Sequence, residues 1–187
     1  MSATLTHRLL ILLGLAAAIA LTRTSHFGTS EILPDASLAA FLLGGLLLQR
    51  SCGFGVMLAV AFGADVLSAQ TATEAGWCLT PAYFGLIPTY GALWLAGRWL
   101  GRRFEQSSST LDFVHAAGVS LAAIALAFVI SNATWYAFSG TVAKMGVVDF
   151  SLIVAKYFPA YLGSAMLYLV PAWLGWKLTH AGRASHI

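Results

Sequence analysis

Two side chains in this sequence have the chemistry to hold a soft metal. Cys78 stands in Trp77-Cys78-Leu79-Thr80-Pro81, and His26 in Thr24-Ser25-His26-Phe27-Gly28. Zinc usually takes three or four protein ligands, and neither segment offers a second cysteine or histidine. One thiolate with one imidazole suits a metal already held by a macrocycle, which asks the protein only for axial ligands. Haem and corrinoids both meet that description. On residue type alone, Cys78 reads equally well as an inert thiol, and a lone loop histidine is more often a polar surface residue.

Other candidates are an acid and a set of rings. Asp65 sits inside an apolar block, and an acid there is a functional candidate by default. The structural alternative, slightly favoured, is a pair with Lys156, with Asn132 joining the same polar patch. Trp77, Tyr83, Phe84, Trp135, Tyr136, Phe138, Tyr157, Phe158 and Tyr161 gather near block ends. An interfacial belt accounts for many of them. Their excess at one set of ends also fits a cup for a large amphipathic ligand. No Walker sequence, HExxH or nucleophile elbow is present, so the chain alone does not hydrolyse ATP.

These residues must be positioned by lipid-solvated helices. Of the 187 residues 59% are apolar and 9% charged, more apolar surface than a soluble fold of this size can use. The apolar residues form six blocks: Leu9–Thr22, Ala36–Gln49, Cys52–Ala69, Pro81–Gly97, Leu111–Phe138 and Phe150–Leu178. Barrel-like alternation is absent, which leaves helices. The expectation is an all-α integral membrane protein of six transmembrane helices, one domain over 1–187. Pro159 and Pro171 are expected to kink the last span. The first block is short, so Arg8 and Arg23 are expected to reach outward, or neighbouring helices to shield it. The net charge of +3 does not imply nucleic acid, because the basic residues sit at block ends.

With six spans, Arg8, Arg50, Arg98, Arg102, Arg103, Lys177 and Arg183 share one side. Arg23 and Lys144 fall on the other, and Lys156 lies within the last span. The positive-inside rule then puts both termini in the cytoplasm. Cys78 and His26 share the outer face, while His7, His115, His180 and His186 are cytoplasmic. Cys52, at the cytoplasmic end of the third span, reads as a small packing residue and cannot pair with Cys78. Small residues at four-residue spacing, Gly14/Ala18, Ala16/Ala20, Ala59/Gly63 and Gly97/Gly101, let helices approach closely. Packing inside the bundle is the simpler use; the first-span pairs also suit a partner membrane protein.

A chain of this size, with six helices, both ends inside, no nucleotide site and an outer cup, resembles the substrate-binding S components of energy-coupling factor (ECF) transporters. Trp77-Cys78 before the fourth helix and His26 after the first look like the BtuM family, solitary S components for cobalamin in Gram-negative bacteria. That resemblance implies cobalamin binding and uptake across the bacterial inner membrane, from a site facing the periplasm. It implies Cys78 as the cobalt ligand on one face of the corrin, with removal of an upper cyano ligand as a consequence, and His26 as ligand or close contact on the other. The ligand-binding set is then Trp77, Tyr83, Phe84, Trp135, Tyr136, Phe138, Tyr157, Tyr161 and Asp65. Ala16 and Ala20 loosely match the motif by which S components dock to a coupling subunit, which works with ATPases. The competing readings are a haem protein with axial Cys78 and an intramembrane enzyme using Asp65.

Overall fold

The computed structural model describes residues 5–23, 33–49, 51–71, 80–106 and 110–184, and every regular element among them is helical. In chain order these are α1 (Leu5–Thr22), α2 (Ser37–Leu48), α3 (Ser51–Thr71), a short 3-10 helix (Pro81–Gly85) leading into α4 (Leu86–Gln106), α5 (Thr110–Phe138), α6 (Val147–Ala155) and α7 (Phe158–Ala184). Three stretches are long and apolar enough to cross a membrane: Leu5–Thr22, Cys52–Gln70 and Val114–Phe138. A fourth is made when α6 and α7 are taken as one bent span. The other two apolar blocks differ in kind. α2 is apolar but only 12 residues long. α4 carries Arg98, Arg102 and Arg103 toward its C-terminal end, which dilutes its apolar character.

α2 is the centre of the bundle. A helix apolar on every side belongs inside, and Phe41 and Leu42 of α2 are fully buried. Around it Ile19 of α1, Met57 of α3, Leu93 and Leu100 of α4, Ile124 of α5 and Leu169 of α7 complete the core. The tightest contact is between α2 and α4. A Cβ on Gly97 would overlap the Leu42 carbonyl, and one on Gly101 would overlap the Gln49 side chain. One on Gly45 would collide with the Trp94 backbone. Gly97/Gly101 therefore packs inside the bundle. Gly14 and Gly63 have nothing within 4 Å of an added Cβ, so their faces are open among the described residues.

Two expectations change and a third is refined. The last block bends beside Pro159 as expected, but through a break: α6 stops at Ala155, α7 starts at Phe158, and the two are bent by 41°. Pro159 has no N–H for the Ala155 carbonyl four residues back, and its ring would clash there. Lys156 and Tyr157 turn instead through bonds to Ile153 and Val154. Pro171, by contrast, lies inside α7 without interrupting it. Cys52 is exposed instead of packed in the core. Arg23 does not reach outward: it is 4% exposed, because the bundle supplies enough polar partners to hold it inside.

Candidate functional site

A cavity of about 440 Å³ lies where α1, α3 and α5 end and where α2, α4 and α7 begin. Arg23 enters from the end of α1, Asp35 and Leu38 from the start of α2, and Asp65 from α3. Tyr83, Leu86 and Tyr90 come from the 3-10 helix and α4, Phe128, Asn132 and Trp135 from α5, and Tyr157, Tyr161 and Ser164 from the α7 side.

Arg23 organises the floor. Its Nε and Nη2 donate to Asp65 Oδ1 and Oδ2, each at 2.8 Å, the planar two-bond match of guanidinium to carboxylate. Its Nη1 donates to Ser37 Oγ at 2.9 Å and to the Tyr90 hydroxyl. Tyr83 donates to Asp65 Oδ2 at 2.7 Å. Ser37 gives both its hydroxyl and its backbone N–H to Asp35 Oδ1, at 2.6 and 2.9 Å. Asp35 Oδ2 stands 3.6 Å from Arg23 Nη1. One guanidinium thus faces two carboxylates. Isolated, each would be costly in this setting; paired and hydrogen-bonded, they persist.

The surrounding chain locks this floor in place. Thr22 Oγ1 donates to the Ala18 carbonyl at 2.7 Å and accepts the Ala36 N–H at 2.9 Å, tying the end of α1 to the start of α2. Tyr168 of α7 donates to the Pro34 carbonyl at 2.5 Å. Gly85 lets the 3-10 helix meet Thr134 of α5, since a Cβ there would overlap the threonine side chain.

Asp65, Tyr83, Trp135, Tyr157 and Tyr161, nominated from sequence, all line this cavity. Three other nominees do not. Tyr136 donates to the Met145 carbonyl at 2.8 Å and packs on Phe150. Phe84 is 75% exposed and lines a separate apolar crevice of about 490 Å³ beside α3. Phe138 is 58% exposed. Phe158 packs edge-on against Phe128. Asn132 shares the cavity with Asp65 as expected, but the partner of Asp65 is Arg23, and Lys156 is exposed. Ala16 is half-buried and Ala20 exposed on α1. Cys78, Trp77 and His26 lie outside the described residues. Among the described residues no three of His, Cys, Asp or Glu cluster as a metal site.

Sequence reading missed Arg23, Asp35, Ser37 and Tyr90. The available signal was balance: an acid at Asp65 within an apolar block calls for a cation, and Arg23 at a block end was the alternative to Lys156.

Fold and site together define a helical, membrane-embedded protein with a charged, aromatic-walled cavity at one end of its bundle. No protein-family model and no curated protein matches the chain.

Proposed function

We propose that this protein binds cobalamin and takes part in its uptake across a bacterial inner membrane. In this reading it is a six-span S-component-like bundle with both termini in the cytoplasm and the cavity facing the periplasm. The observation that carries the reading is the convergence of six helix ends on one cavity, with α1, α3 and α5 arriving there and α2, α4 and α7 leaving. An up-and-down bundle of six crossings produces that alternation. The short α2 then crosses shielded by its neighbours, and α4 crosses with its arginines at the cytoplasmic end.

The metal-ligating residues flank this cavity in sequence. Arg23, three residues before His26, lines it, and so does Ala82, four residues after Cys78. Cys78 serves as a thiolate ligand to the cobalt of the bound substrate, and His26 as a contact on the opposite corrin face. Trp135, Tyr157 and Tyr161 supply apolar walls for a flat macrocycle. The exposed stripe of α1 around Gly14 and Ala20 is available to a coupling subunit with its ATPases.

The test is an absorption spectrum of the purified full-length protein mixed with cyanocobalamin. Thiolate ligation displaces the lower nucleotide base and weakens the bond to the upper cyanide. Base-off cobalamin with progressive loss of cyanide is expected, and Cys78→Ala should abolish both changes. Absence of corrinoid binding, or a haem Soret band in the protein as isolated, would overturn the reading.

A further inference from the structure

The hydrogen-bond inventory of the cavity floor specifies what the ligand must present to it. Arg23 has five N–H groups. Nε and one Nη2 hydrogen go to Asp65, and both Nη1 hydrogens go to Ser37 and Tyr90. One Nη2 hydrogen remains without a partner among the described residues. The Tyr90 oxygen accepts from Arg23, so its own O–H is left to donate. The Tyr161 hydroxyl has no partner among the described residues, and its side chain lines the cavity. Arg23 and Tyr90 are each 4% exposed, so little solvent reaches their donors, while the half-buried Tyr161 offers its hydroxyl to the cavity. The acceptors are more fully engaged: Asp65 Oδ2 receives two hydrogen bonds, Oδ1 one, and Asp35 Oδ1 two.

The floor therefore has spare donors, yet among the described residues its charged groups are two carboxylates and one guanidinium. Spare donors call for an acceptor atom. A third anion beside Asp35 and Asp65 would meet like-charge repulsion in a poorly solvated place. The chemistry that satisfies both conditions is a neutral carbonyl oxygen.

We infer that Tyr161, Tyr90 and the free N–H of Arg23 read an uncharged carboxamide carbonyl of the ligand and discriminate against a carboxylate at the same position. This rests on the cobalamin reading, in which the ligand is a corrin rimmed with carboxamides. Tyr161 is the specificity residue that can be changed most cleanly. Its ring contact with Phe128, 5.1 Å between centroids, is kept by phenylalanine. Tyr90, by contrast, also satisfies Arg23.

The experiment is calorimetric titration of full-length wild type and Tyr161→Phe with cyanocobalamin and with its monocarboxylic derivatives, in which one rim amide at a time is hydrolysed to the acid. In wild type, at least one monoacid should bind tenfold or more weakly than the parent. Tyr161→Phe should bind the parent about three- to tenfold more weakly, the worth of one hydrogen bond. The spectrum of the bound corrinoid should be unchanged, which a displaced or misfolded site would not give. Wild type that binds no cobalamin overturns the cobalamin reading and this inference together. Wild type that binds cobalamin but takes every monoacid equally well, or a Tyr161→Phe affinity equal to wild type, overturns this inference alone.

Discussion

The ring of Tyr90 lies flat on that of Phe41, with centroids 4.2 Å apart and planes 5° from parallel. The contact joins α2 to α4 and sets the direction of the phenol, whose oxygen meets Arg23. Phe41 is itself fully buried and has Phe54 against its edge. The polar floor of the cavity is thus aimed by an apolar stack beneath it. Phe41→Ala should destabilise the protein by about 3–5 kcal/mol, through the cavity it leaves and the loss of stacking. Thermal unfolding in detergent, followed by tryptophan fluorescence, measures this; a loss under 1 kcal/mol would show that the stack is dispensable.

Arg23 and Asp65 should behave as one unit. Arg23→Gln leaves Asp65 and Asp35 without their cation, at a cost of about 3–5 kcal/mol, and Asp65→Asn leaves Arg23 only the looser Asp35 contact at 3.6 Å, at a smaller cost. The double variant should cost clearly less than the two single losses added together, because the Arg23–Asp65 pair is then removed as a unit and only the Asp35 charge is left to accommodate. Additive losses in a double-mutant cycle would contradict the coupling.

Glycines divide by what stands opposite them. Gly97→Val and Gly45→Val place side-chain atoms into the backbone of a neighbouring helix and should prevent a stable bundle. Gly63→Val meets open space and should be tolerated within about 1 kcal/mol. Monodispersity on size-exclusion chromatography and the unfolding midpoint distinguish the two classes.

A topological test uses the two thiols. Cys52 is exposed at the start of α3, the end of that helix far from Asp65. On the proposed orientation, with both termini inside, a membrane-impermeant thiol reagent applied to intact spheroplasts should label ligand-free Cys78 and spare Cys52. Inverted vesicles should give the opposite pattern. Labelling of Cys52 from outside would reverse the orientation and the site with it.

Much of this architecture was legible in the residues. Apolar blocks separated by polar breaks mark helices with only local information, and the Gly97/Gly101 spacing marks a close approach before its partner is known. Asp65 announced itself because an acid in an apolar block has so few uses. The fate of Arg23 was not legible. An arginine at a block end reaches outward or turns in according to what the rest of the chain offers it. Here the offers come from Ser37, Asp65 and Tyr90, which are 14, 42 and 67 positions away. The break at Lys156 was half legible: Pro159 signalled a disturbance, but whether a helix bends or stops depends on the neighbours able to stabilise a continuous one.

The interruption between α6 and α7 also serves as a depth gauge. Hydrocarbon does not tolerate a peptide carbonyl without a donor, and Pro159 denies one to Ala155. Such a gap belongs at the waterline, where solvent supplies what the helix cannot, and the exposed Lys156 and Tyr157 suit that level. Counting inward from Phe158, about 20 helical residues cover the ~30 Å of the oily layer and end beside Lys177. α6, with Val147, Val148 and Leu152 turned outward, lies beyond the break and is the other arm of that bent pair. Tyr157 sits at the same level and lines the cavity, so on the proposed placement its mouth opens among headgroups, within reach of a solute that never enters the oil.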